Sequence, residues 1–216
     1  KVAAAGKDAA GEPICWEQVL GQMARRAPGQ DPTATTRKEA DTPQVLCGLL
    51  DGVTTGAPLC AIIENTNQRS KDYSSLRVLP RPGHADYTAY VKYGNHHDVR
   101  GGGHFSGRVT AGLVAAGAIF QQILSEHGVT LGTHVRSCQD IADRDFAWDR
   151  LGEDLASLLS PGFPVLDETA RRRMLLAIEA AQSEGDSLGA VLETAVLGLP
   201  AGIGEPFFHS VESEIS

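Results

Sequence analysis

The sequence predicts an α+β or layered α/β domain, with helices packed on antiparallel strands. Three observations lead there. Two apolar runs of strand length flank an Asp-Gly turn, three segments carry the apolar period of helices, and no internal repeat is present.

Taken in order, residues 1 to 13 are small and polar, a poor start for a core. From Pro13 to Arg26, Ile14, Val19, Leu20 and Met23 recur at helical spacing, and Pro13 suits a first-turn position. That helix is expected to stop before Ala27-Pro28-Gly29, because a residue preceding proline resists the helical region. Residues 30 to 41, rich in Thr, Asp and Pro, read as an extended surface loop. QVLCGLL (44–50) and APLCAIIEN (57–65) are expected to form an antiparallel pair across Asp51-Gly52, and their continuous apolarity implies burial on both faces. From Asn65 to Gly103 the chain shows no period, and so long a stretch without elements is uncommon unless it is functional.

Beyond Ser106, a candidate N-cap, residues Leu113, Ala116, Gly117, Phe120, Ile123 and Leu124 follow the helical rule as far as Gly128. Small residues along this segment let another backbone come close, which marks a central helix. VTLGTHVRSC (129–138) is strand-like, and residues 145 to 160 read as a short polar segment. Asp167 to Glu184 is an amphipathic helix with Met174, Leu175, Ile178 and Ala181 on one face and Gly185 at its exit. GAVLETAVLGLP (189–200) alternates as a strand with unlike faces.

With 216 residues the chain has room for one large domain or two small ones, and 42% hydrophobic against 21% charged residues is the balance of an ordered globular protein. The net charge of −8 argues against general nucleic-acid binding, which selects basic surfaces. A few placed arginines can still hold a small anion in an acidic protein. Cys15, Cys47, Cys60 and Cys138 stand singly with no CxxC, and read as buried, reduced thiols of a cytoplasmic protein. No apolar run approaches the roughly 20 residues of a membrane span, and the start lacks the apolar core of a signal peptide. It also lacks an initiator Met and reads as the middle of a longer chain.

The chemistry concentrates between residues 80 and 107. RGGGHFS opening onto a helix brings bare backbone N–H groups and a positive helix end together, an arrangement suited to a phosphate or carboxylate; by itself it is as readily a plain turn. Arg81, Arg100 and Arg108 flank it, and Arg25 and Arg26 end the first helix, so guanidinium forks are at hand for an anion. His84 can move a proton near neutral pH, with Asp86 two residues on to orient it, although a lone histidine is more often structural. His96-His97-Asp98 invites a metal reading, but adjacent histidines diverge and no HxxxH or CxxC supports them; no metal is expected. His104 can close over an anion, and His127 and His134 read as structural.

These blocks carry a family resemblance. VTTGAPLCAIIENTNQRSKDYS, RPGHADYTAYVKYGNHHDVRGGGHFSGRVTAGLVAAGAI, the earlier MARRAPGQ and TTRKEAD, and the later GDSLGAVLETAVLGLPAGIGEPFF closely resemble chorismate synthase, in the same order, from about Arg25 to Phe208. The resemblance implies a layered β-α-β sandwich with helices packed between sheets, and a homotetramer. It implies conversion of 5-enolpyruvylshikimate 3-phosphate to chorismate by 1,4-anti elimination of phosphate, on the shikimate route to aromatic amino acids. Reduced FMN is required without net redox change, and NADPH is the reductant in some members. It also implies roles. His84 matches the motif histidine that acts beside the N1/O2 edge of the flavin as a proton donor. Arg26, Arg81 and Arg108 match substrate-binding positions, and His104, Phe105 and Ser106 the flavin-binding triplet.

Many members read RGGGRSSARET where this chain reads RGGGHFSGRVT, which alters how the flavin's polar edge is met. The family's GESHG-type segment and its later Asn-Ala and Lys-Pro-Thr-Ser segments do not occur here. Residues 1–216 are therefore expected to form a single family domain, incomplete at both ends, within a longer protein. The alternative is a degenerate, non-catalytic member that keeps only an anion- or flavin-binding fold.

Overall fold

A computed structural model describes residues 2–4, 10–27, 41–65, 73, 75–76, 78–206 and 208–215. The chain divides into two compact units, the first ending at Phe120 and the second running on from Gln121.

In the first unit, strands occupy the stretch expected to hold no core element. β1 (Val2–Ala4) pairs antiparallel with β6 (Leu59–Ile62), and β2 (Ala10–Pro13) with β5 (Val53–Thr55). No apolar pattern announces these two; distant backbone partners make them strands by satisfying their N–H and C=O groups. α1 begins at Trp16 rather than Pro13, because Pro13 closes β2 and the Ile14 N–H donates to the Gly52 carbonyl at 2.8 Å. It ends at Arg26, and Ala27 is extended with ψ 135°, as the following proline requires. The expected loop at 30–41 lies outside the described residues except for Asp41.

The antiparallel pair forms as expected but is divided between two sheets. β3 (Gln44–Cys47) joins β6 in the sheet β1-β6-β3, and β4 (Leu49–Leu50) joins β5 in the sheet β2-β5-β4. An irregularity between Val45 and Cys47 marks the change of sheet. Asp51 and Gly52 both have positive φ, the backbone of a tight hairpin turn. Burial on both faces is not found: Leu46 and Leu50 are 61% and 67% exposed. These sheets have only three strands, and among the described residues nothing covers the outer side chains of β3 and β4.

α3 (Thr110–Glu126) follows a short 3-10 turn at Gly107–Val109 and stops before Gly128. Its buried stripe is Ala111, Ala115, Ala118 and Ile119, whereas Leu113 and Phe120 of the expected stripe are exposed. Both stripes have helical spacing. The small one prevails where Ala111 and Ala115 pack directly on Met23 of α1, with Ile63 and Val114 beside them. With its alanines and larger apolar residues together, the stretch Gly107–Glu126 is long and apolar enough, by length and composition, to cross a membrane, a property the reading of apolar runs missed.

The second unit is built on β7 (Thr130–Cys138), which lies between β8 (Ile141–Ala142) and β9 (Ala190–Leu197), all antiparallel. The segment read as polar contains α4 (Leu151–Ser157). Leu151, Leu155 and Leu158 fall at i, i+4 and i+7 and pack with Phe146 and Ala195, so three leucines suffice for a buried stripe despite the acidic residues between them. α5 (Glu168–Ser183) is capped by Asp167, which accepts from the Thr169 and Ala170 N–H groups, and buries Met174 completely against Val135 and Cys138. His134 is fully buried, with Nδ1 2.7 Å from Asp143 Oδ2 and Nε2 2.9 Å from Glu193 Oε2, in keeping with a structural histidine. α6 (Val211–Ile215) closes the described chain. Helices mixed with antiparallel sheets make this an α+β fold. No disulfide joins the four cysteines, and only Cys138 is buried; Cys15 and Cys47 are exposed, contrary to the expected burial, because Cys15 precedes α1 and Cys47 lies on the uncovered strand β3.

Candidate functional site

The irregular stretch contains a helix, α2 (Asp86–Lys92). Its only buried hydrophobic residue is Ala89, so no apolar period betrayed it. The loop before it organises the helix instead. Gly83, at φ 69°, turns the chain so that Arg81 and His84 converge on Asp86. The Asp86 carboxylate accepts from the Arg81 backbone N–H at 2.9 Å, from Nε at 2.8 Å and from Nη2 at 3.0 Å. These bonds hold the buried carboxyl well below the usual carboxylate range and raise the Arg81 pKa.

His84 Nδ1 lies 2.9 Å from Asp86 Oδ1 and 3.3 Å from Arg81 Nη2. The one hydrogen bond at Nδ1 is with Arg81 Nη2, which only donates, so Nδ1 accepts it, and Asp86 Oδ1 faces the ring as an ion-pair partner. In the neutral ring Nε2 then carries the proton, and it makes no hydrogen bond among the described residues. Arg81 Nη1 is likewise unengaged there. The arrangement can orient an imidazole for proton transfer beside a guanidinium with N–H groups to spare.

A second cluster forms where α1 ends. Arg26 Nη1 donates to Asp41 Oδ2 at 2.5 Å, Nε to Thr110 Oγ1 at 3.4 Å and Nη2 to the Gly107 carbonyl at 3.5 Å. Arg108 Nη1 donates to Asn65 Oδ1 at 3.2 Å, and its Nη2 lies 3.5 Å from Asp41 Oδ1. Ser106 caps the turn, its hydroxyl accepting from the Arg108 N–H at 3.3 Å. Arg26, Ser106 and Arg108 are thus brought onto one turn. Asp41, which joins the two arginines, was missed as a functional residue; the available signal was its position as the last residue of the TTRKEAD block.

Arg100 to Phe105 wind into a 3-10 turn. Gly103 has φ 52°, and a Cβ there would come 2.7 Å from the Asp98 carbonyl oxygen, so this glycine is required by close packing. Asp98 also binds the Arg100 guanidinium through both oxygens, which gives that arginine a local partner. His104 and Phe105 gather with Tyr93, ring centroids 6.0 to 6.4 Å apart, leaving Phe105 39% exposed. Among the described residues no three His, Cys, Asp or Glu side chains come together as metal ligands. Nor does any hydrogen bond or ion pair of Arg81, His84 or Asp86 reach Ser106 or Arg108.

A sequence model of the chorismate synthase family matches residues 7–216. The chain is 36% identical over 209 residues to the chorismate synthase of Methanosarcina mazei, covering 96% of this chain and 56% of that protein. It is 41% identical over 207 residues to that of Chitinophaga pinensis, covering 96% and 53%. With the chorismate synthase of Aeropyrum pernix it shares 42% over 196 residues, covering 89% and 50%. A crystal structure of chorismate synthase superposes with a TM-score of 0.66 at 24% identity, over 94% of this chain and 55% of that one, a likeness of fold. The chain spans about half the length of the curated relatives it matches. With a family model matched across nearly all its residues, the chain belongs to the chorismate synthase family.

Proposed function

We propose that this chain forms part of a chorismate synthase that eliminates phosphate from 5-enolpyruvylshikimate 3-phosphate in a 1,4-anti sense. Family membership supports the reaction. The geometric observation that carries the reading is the pair Arg26 and Arg108 held on the turn at 106–110 in a protein of net charge −8. A substrate with a phosphate and two carboxylates needs such local positive charge. Arg81 is assigned to the same anionic substrate through its spare Nη1, and His84, oriented by Asp86, holds or delivers a proton at Nε2.

The residues present fit one side of a flavin. The partly exposed Phe105 beside His104 and Tyr93 offers flat apolar surface, and Ser106 lies at the adjoining turn. Reduced FMN, when bound, supplies transient electron density to the substrate and recovers it, so no net redox change results. NADPH serves as its reductant where the enzyme reduces its own flavin. The assembly is proposed to be a cytoplasmic homotetramer acting on a small molecule, without nucleic acid or membrane partners.

The test is phosphate release from 5-enolpyruvylshikimate 3-phosphate by the full-length protein with reduced FMN under anaerobic conditions. Turnover to chorismate is expected. If no phosphate is released and the substrate leaves FMN absorbance unchanged, the chain is a non-catalytic family member instead.

A further inference from the structure

We infer that Asp41 is a positioning residue of the anion site, fixing Arg26 and Arg108 as a pair; this rests on the reading above that the two arginines bind substrate. Asp41 is 4% exposed and adopts φ 40°, a left-handed backbone that a side chain other than glycine enters at a cost. Its two oxygens are divided between the two arginines. Oδ2 takes the 2.5 Å hydrogen bond from Arg26, while Oδ1 makes no hydrogen bond and meets Arg108 at 3.5 Å as an ion pair alone. A buried carboxylate with an unsatisfied oxygen weakens a fold that merely needs a salt bridge. The arrangement makes sense where the second oxygen acts by charge, holding a guanidinium without taking its donors into full hydrogen bonds.

The charge count supports this. Two guanidiniums so close repel one another; one carboxylate between them leaves a single net positive charge and lowers the cost of keeping both in place before an anion arrives. The contacts of Arg26 occupy three of the five N–H groups a guanidinium carries, leaving two for a ligand. Asp41 thus acts through Arg26 and Arg108 rather than on the substrate, with which it shares a negative sign.

The experiment compares Asp41→Asn, Arg26→Gln, Arg108→Gln and the double variant Asp41→Asn/Arg26→Gln in the same phosphate-release assay, with circular dichroism of each. Asn accepts the left-handed backbone and keeps the volume, whereas Asp41→Gly accepts the backbone and removes the side chain. The expected result is a KM raised roughly tenfold in Asp41→Asn, kcat within about threefold of wild type, and little further loss on adding it to Arg26→Gln. A wild-type KM in Asp41→Asn, with weakened Arg26→Gln and Arg108→Gln, overturns the positioning role and leaves the substrate reading standing. So does an additive double variant, or loss of fold in both Asp41→Asn and Asp41→Gly. Unchanged KM in both arginine variants overturns the substrate reading itself.

Discussion

His84 and Arg81 meet on one carboxylate: Nδ1 of the ring lies 2.9 Å from Asp86 Oδ1, and Arg81 Nη2 donates to the same oxygen at 3.0 Å. Neither side chain is oriented independently of the other. Removing either one disturbs the second, and both are presented from the same short loop.

Replacing His84 by Ala is therefore expected to lower kcat by about 10²- to 10⁴-fold, the usual range for a lost general acid or base, with the fold intact. Arg81→Ala is expected to be at least as damaging, because it also releases Asp86 and the ring it orients. Arg81→Lys should recover little, since a point charge cannot reproduce the fork. Steady-state kinetics with circular dichroism checks this, and wild-type rates in both alanine variants would refute the assignment.

In the second unit, Arg144 binds Asp154 through both oxygens, and this pairing holds the Asp154 pKa down at about 2. A carboxyl with a depressed folded-state pKa contributes stability above its unfolded value, and that contribution is lost as pH falls through the folded one. With an unfolded value of about 3.9, the loss falls between roughly pH 4 and pH 2. Allowing for solvent at the guanidinium, the contribution at neutral pH is about 1–2 kcal/mol. The stability difference between wild type and Asp154→Asn, followed by urea unfolding, is expected to be constant above pH ~5 and to shrink below pH ~4. A difference that stays flat down to pH ~2 rules the ion pair out as its source.

Gly103→Ala tests the glycine turn. A methyl group there meets the Asp98 carbonyl oxygen at 2.7 Å on a backbone with φ 52°, so the turn must shift. A loss of about 1–3 kcal/mol is expected, together with weaker FMN binding if His104 and Phe105 move with the turn. Thermal unfolding and FMN titration measure the two separately.

Thiol accessibility is expected to follow position. Cys15 and Cys47 should react rapidly with a thiol reagent in the native protein, Cys60 more slowly, and Cys138 only on unfolding. Mass spectrometry of timed labelling reads all four, and rapid labelling of Cys138 would mean that the core beside Met174 opens.

The α+β class, the helices α1, α3 and α5 and the strand β7 were legible in the sequence because each carries local period, cap or breaker signals. Asp167 before α5, Asp51-Gly52 and Gly128 each act within a few residues of themselves. The family could be read for the same reason, since RPGHADYT and RGGG are contiguous words. Tertiary structure alone decided what distant partners decide. β1 and β2 exist because β6 and β5 accept their backbone groups, and the buried face of α3 is set by Met23 rather than by its own larger side chains. Asp41 came to join Arg26 to Arg108 in the same way. A contact between residues far apart in the chain leaves no periodic trace in either segment, so only the folded chain could disclose it.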